Sequence, residues 1–155
     1  MLIEPAPGDS QDIIKLIDTV YREYGDSICL DKVDSDLLAI NENYRNKGGC
    51  FWVWKENDEI KATIAVVPAN EKDTVLLKRL YLKKDYRGTG IADLLLNYAI
   101  EWAKERGYKN IGLWSDTRFL RGHKFYTKHK FIQDGLRSMN DGNMPYKEYF
   151  FSREI

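Results

Sequence analysis

Between Thr74 and Trp114 the chain passes from an apolar stretch, TVLLKRLYL, through a turn holding Gly88 and Gly90 into a helical pattern and a second strand pattern, NIGLW. Two strands joined through a helix return in the same direction, so this unit fixes a parallel strand pair in whatever sheet the chain builds. The helical pattern has Ile91, Leu94, Leu95, Tyr98, Ala99 and Trp102 at helical spacing and stops at Gly107. Its glycines are the unusual part, because glycine weakens a helix by roughly 1 kcal/mol against alanine. A strand that ends in a glycine turn opening a helix is an anion-binding device. First-turn N–H groups and the positive end of the helix dipole point at the bound group, and glycine lets that group approach the main chain.

Two common phosphate patterns fail here. No lysine stands where G-x-x-x-x-G-K-[ST] requires one. The dinucleotide pattern would begin at Gly88 but meets Asp93 where a small residue is needed. What remains is Arg87-x-x-Gly90-x-Ala92.

Around this unit, LIEPA reads as a short first strand. Asp9 is placed to cap a helix carrying Ile13, Leu16, Ile17, Val20, Tyr21 and Tyr24, which stops at Gly25. Asp34 or Ser35 opens a second helix through Leu37, Leu38, Ile40 and Tyr44 to Gly48–Gly49. CFWVWKENDEIKATIAVV reads as a hairpin turning at ENDE. A helix over about 118–129 and a closing antiparallel pair, FIQDGLRSM with YKEYFFS, complete the chain. No linker or repeat interrupts it, so residues 1–155 form one domain. The order β-α-α-β-β-β-α-β-α-β-β describes an α/β mixed sheet covered by helices.

The formal net charge is zero, which excludes a uniformly basic nucleic-acid binder, but the charge is segregated. Residues 1–60 carry 13 acidic and 6 basic side chains, a balance of −7, and the remainder carries +7. Two readings follow: solvated helix faces and caps, or two halves that each meet a ligand of opposite charge. The N-terminal stretch lacks signal-peptide character, and no apolar run is long enough for a membrane span. Cys29 and Cys50 have neither disulfide-framework nor metal-ligand spacing, which fits a reducing cytoplasm. His123 and His129 sit in a basic segment without acidic or cysteine partners at ligand spacing, so no metal site is expected.

Arg87-Gly88-Thr89-Gly90-Ile91-Ala92, preceded by KRLYLKKDY, resembles the [QR]-x-x-G-x-[GA] acyl-CoA motif of the GNAT N-acetyltransferase superfamily. FYTKHKF, after the next strand, matches a second family feature, and the element order agrees over essentially the whole chain. The resemblance implies that the main chain from Arg87 to Ala92 binds the pyrophosphate of acetyl-CoA. It also implies that the backbone of Leu80, Tyr81 and Leu82 pairs with the pantetheine arm as another strand would. The basic cluster Lys78, Arg79, Lys83, Lys84 and Arg87 then adds a favourable field. Tyr126 corresponds to the tyrosine that protonates the leaving thiolate. Two positions depart from the pattern: Phe119 where the family often has asparagine, and Lys130 where it commonly has glycine.

The implied reaction is direct attack of an uncharged amine on the acetyl thioester, aided by backbone N–H groups near Leu80–Leu82. The strand before the glycine turn offers no carboxylate as base, so Asp116 is the candidate, with an N-cap role as its alternative and Glu148 as a weaker candidate. Asp12, Asp18, Glu23, Asp26, Asp31, Asp34, Asp36 and Glu42 suggest attraction of a cationic amine. Phe51, Trp52 and Trp54 read either as hairpin core or as pocket lining. The resemblance admits a homodimer and no nucleic-acid or membrane partner. A CoA-binding module without catalysis is the alternative to an acetyltransferase.

Overall fold

The computed structural model describes all 155 residues. Seven strands form one sheet in the order β1-β2-β3-β4-β5-β7-β6: β1 Leu2–Ile3, β2 Cys50–Glu56, β3 Glu59–Pro68, β4 Thr74–Leu82, β5 Asn110–Asp116, β6 Ile132–Met139 and β7 Tyr146–Glu154. Every neighbouring pair is antiparallel except β4 and β5, the pair that the strand–turn–helix–strand unit requires. The hairpin between β2 and β3 turns on Asn57 and Asp58, both at positive φ (52° and 62°), as a two-residue hairpin loop demands.

Helices cover both faces. On one side, α1 (Ser10–Arg22), α2 (Ile40–Asn43) and the residues flanking α2 bury Ile13, Leu16, Ile17, Leu37, Ile40 and Tyr44 against Phe51, Val53 and Ala65 of the sheet. On the other, α3 (Ile91–Glu105) and α4 (Leu120–Lys128) close a larger core that includes Val75, Leu77, Leu95, Leu96, Ala99 and Phe151. Phe51 and Trp52 are buried in these cores, the hairpin-core role of the two foreseen.

Several local expectations are corrected. The second helix is not continuous: a 3-10 turn over Ser35–Leu38, the four-residue α2 and a 3-10 turn over Arg45–Lys47 replace it. Ala39 breaks it with an extended φ of −147°, and Asp34 and Asp36 point inward to Arg79 instead of capping helix N–H groups. In α3 the buried stripe is Leu95, Leu96, Ala99, Ile100 and Ala103, one step round from the expected one, leaving Leu94 and Tyr98 about half exposed. Asp9 occupies the N-cap position of α1, but its carboxylate accepts the Ala6 N–H (2.7 Å) and pairs with Lys55 (2.7 Å).

The feature that positions the site lies in β4. Thr63 and Ala65 of β3 face Tyr81 and Lys78 of β4, so one extra residue is accommodated on β4, with Arg79 left-handed at φ 57°. This is a β-bulge, which bends a strand away from its neighbour. β4 and β5 pair only from Thr74 to Leu76 against Asn110 to Gly112; beyond that, β4 from Leu77 to Leu82 has no strand on its β5 side.

Candidate active site

The divergence of β4 from β5 opens a cleft of about 390 Å³. Leu80, Tyr81, Asp116 and Tyr126 line it, so the structure brings together four residues singled out from distant parts of the sequence. Leu82 lies below, in the core. Arg87 to Ala92 do not line this cleft; they form the neighbouring turn at the head of α3.

That turn is built to expose N–H groups. Gly88 and Gly90 have φ of 74° and 89°, a region L side chains rarely adopt, and Gly90 is the N-cap of α3. None of the main-chain N–H groups from Gly88 to Asp93 reaches an acceptor in the chain; Leu94 is the first to find one, on the Gly90 carbonyl (3.1 Å). The Thr89 hydroxyl donates back to the Tyr86 carbonyl (2.6 Å), which stiffens the turn. A Cβ added at Gly88 or Gly90 would meet no atom within 4 Å, so the space over this backbone is open. Unpaired N–H groups on a helix N-terminus with no side chain above them suit a diphosphate. The free β4 edge likewise suits an arm with peptide-like groups. The Arg87 side chain is directed elsewhere: it holds Glu23, just past α1, through two hydrogen bonds (2.5 and 3.0 Å) and lowers the pKa of that carboxyl. At the far side of the turn Asp93 pairs with Lys128 (2.9 Å) and His129 (2.6 Å), tying α3 to α4.

Tyr126 is buried on α4, packed against Phe131 and Phe151, and its hydroxyl hydrogen-bonds to no protein group. Since no fully buried polar atom in the protein lacks a partner, that hydroxyl is open to the cleft. Desolvation, with a contribution from nearby Tyr81, raises its pKa, so the phenol keeps its proton.

Asp116 ends β5 and is buried, but its carboxylate is engaged. Arg118 donates to both of its oxygens (2.6 and 2.9 Å), and one of them also accepts the Arg118 N–H (2.9 Å). Phe119, not Asp116, is the N-cap of α4; Asp116, three residues earlier, accepts the Arg118 N–H on its carboxylate and the Phe119 N–H on its carbonyl (3.0 Å). Glu148 is paired with Arg137, which donates twice to its Oε1 (2.6 and 2.8 Å). Phe119 packs against Tyr24 in the cleft wall, ring centroids 4.7 Å apart and tilted by 50°, and Lys130 adopts the left-handed conformation (φ 70°) that glycine more often supplies.

Sequence reasoning took Arg79 for part of the basic field around the cofactor and foresaw neither its ion pairs nor those of Arg118. Arg79, at the bulge, reaches Asp34 (2.9 Å), Asp36 (2.5 Å) and the Tyr21 hydroxyl (3.1 Å), joining α1 and the segment before α2 to β4. Arg118 bridges Asp116 to Asp26 (3.1 Å). Apart from Arg118 and Asp116, two residues apart, these partners lie tens of residues apart in the chain, and the only advance signal was the opposite charge of its two halves.

Comparison with known proteins agrees with the geometry. The family model described as "Acetyltransferase (GNAT) family" matches residues 14–131. Streptothricin acetyltransferase A of Bacillus subtilis is 33% identical over 125 residues, covering 81% of this chain and 66% of its own length. N-acetyltransferase 8F1 of Rattus norvegicus is 28% identical over 107 residues, covering 66% of this chain and 48% of its own. The chain spans about half or less of the first curated relatives it matches. A crystal structure of a GNAT-family acetyltransferase from Staphylococcus aureus Mu50 superposes with a TM-score of 0.83 at 26% identity, over 99% of this chain and 98% of that one. With the motif, the splayed strands and a match to most of its length, the chain belongs to the acetyltransferase (GNAT) family.

Proposed function

We propose that the protein is an acetyl-CoA-dependent N-acetyltransferase acting on an amine. The observation that carries this reading is the alignment of two unpaired main-chain features, the N–H groups of Gly88–Asp93 and the β4 edge at Leu80–Leu82, beside a cleft containing an unpartnered phenol. Acetyl-CoA supplies the acetyl group as an activated thioester. The residues do the rest. Arg87–Ala92 offer main-chain N–H groups to the diphosphate, and the β4 edge orients the pantetheine arm. Its N–H groups are free to donate to the acetyl oxygen as charge develops there. Tyr126 holds a proton for the departing thiolate, and its raised pKa keeps that proton in place at any working pH.

The amine arrives as an ammonium and must lose a proton. Asp116 and Glu148 face the cleft, each held by an arginine, so proton removal by either one requires loosening an ion pair, and water in the cleft is the other route. Asp141, the cleft carboxylate with no cationic partner, is the reason to expect a positively charged nitrogen there. A cytoplasmic setting and a homodimer fit this reading.

A thiol-release assay with acetyl-CoA over an amine panel is the test. Release that depends on an amine supports the reading. Binding of CoA with no release for any amine would instead identify a CoA-binding module.

A further inference from the structure

Six carboxylates line the cleft: Asp26, Asp34, Asp36, Asp116, Asp141 and Glu148. Five are already matched by guanidinium groups, Asp34 and Asp36 by Arg79, Asp26 and Asp116 by Arg118, and Glu148 by Arg137. Asp141 accepts the Tyr146 hydroxyl (2.6 Å) and has no cationic partner. On the cationic side all three arginines are engaged, and Lys78 alone has no hydrogen bond or ion pair. An unmatched ammonium and an unmatched carboxylate therefore face the same space.

Lys78 sits on β4 two residues before Leu80, on the sheet face opposite buried Leu77, and is exposed to the cleft. Surrounding protein partly desolvates it and lowers its pKa, with Asp36, Arg79, Arg137 and Glu148 the charged groups around it. An anion arriving there would restore what the protein withholds. The cleft is also roofed. Val33 donates its N–H to the Asp141 carbonyl (3.0 Å), and the Asn143 side chain bonds to Ser27 and Ile28, so the segment before α2 and the β6–β7 loop are joined above it. A cleft of about 390 Å³ under a hydrogen-bonded roof takes a small molecule.

We infer that the acceptor is a small amine that also carries a carboxylate, and that Lys78 is the residue that binds the carboxylate. The inference rests on the acetyltransferase reading above and names its substrate class.

The experiment uses the full chain with acetyl-CoA and matched sets of probes: free amino acids, their carboxamides and the corresponding decarboxylated amines. Thiol release is measured for each. In parallel, acetic anhydride labelling of Lys78 is followed by mass spectrometry with and without each probe. A charge-assisted contact predicts a kcat/KM about tenfold or more higher for the carboxylate member of a set. In K78M that preference collapses through KM, in K78R part of it returns, and carboxylate probes shield Lys78 from labelling while their amides do not. Equal turnover within each set without shielding overturns the inference and leaves the acetyltransferase reading intact. Equal loss of kcat for all probes in both K78M and K78R also overturns it, since that marks proton transfer and not recognition. Shielding of Lys78 by carboxylates without thiol release keeps the binding role and removes the acetyltransferase reading. Neither shielding nor release overturns both.

Discussion

Gly88 and Gly90 illustrate how far single residues can be read. Their presence at a helix start pointed to a ligand approaching the main chain, and the structure adds a second requirement, φ of 74° and 89°. Replacing Gly90 with alanine meets no steric obstacle from neighbours, so its cost is backbone strain of roughly 1–2 kcal/mol. Gly90→Ala should lower the unfolding free energy by that amount in a denaturant titration and weaken CoA binding in calorimetry. Gly8→Ala, with open space and an ordinary φ, should do neither. Tyr126→Phe tests the phenol alone, because it removes one oxygen without changing the ring packing against Phe131 and Phe151. Loss of a positioned acid predicts a fall in kcat of about a hundredfold or more with CoA affinity preserved. An unchanged kcat would show that water protonates the thiolate. Asp116 shows the limit of this scale: its place at the end of β5 was legible, but its two bonds to Arg118 depend on a rotamer that sequence does not display.

Whole elements were more legible than their irregularities. Apolar alternation and turn residues located all seven strands and the three longer helices, because those patterns are written locally. The bulge in β4 and the fragmentation around α2 were not, since both coincide with a tertiary interaction that no local pattern writes. Arg79 has a left-handed backbone while its guanidinium holds Asp34 and Asp36, and those two aspartates lie in the segment that pattern alone would make a continuous helix. Asp34 is fully buried, so removing its partner leaves an uncompensated charge. Breaking such a pair from one side typically costs about 3–5 kcal/mol. Arg79→Met should therefore lower the melting temperature by roughly 10 °C. If the bulge depends on this clamp, the surviving folded fraction should also show a higher KM for acetyl-CoA, because the β4 edge would close toward β5. A variant with wild-type melting and KM would mean that the bulge is held by β3 pairing alone.

At the scale of the molecule, the segregation of charge has an internal explanation. The acidic residues of the first part of the chain meet basic residues of the second in the fold: Glu23 with Arg87, Asp34 and Asp36 with Arg79, Asp26 with Arg118. The two halves are thus in part each other's counter-ions, and these pairs help dock the N-terminal segments across β4 and β5. Acid should undo this docking, and the sign follows from the shifts. Hydrogen bonding to Arg87 lowers the pKa of Glu23, and hydrogen bonds from Lys128 and then His129 lower that of Asp93. Their stabilising contribution is complete above the ordinary carboxyl values of 4.5 and 3.8 and is lost as pH falls through the lower folded values. His123, its Nε2 at 2.9 Å from the Asp116 carbonyl, is also shifted downward from 6.5, by desolvation. Protonating it favours unfolding, so its contribution is complete above pH 6.5 and fades below. Denaturant titrations from pH 8 to pH 3 should accordingly show a plateau, a shallow decline beginning near 6.5 and a steeper one below about 4.5. His123→Gln should erase the shallow phase alone and leave the steep one, which belongs to carboxylates such as Glu23 and Asp93. A single steep phase in the unaltered protein would show that His123 protonates without cost, with its ring turned to water and the Asp116 carbonyl released.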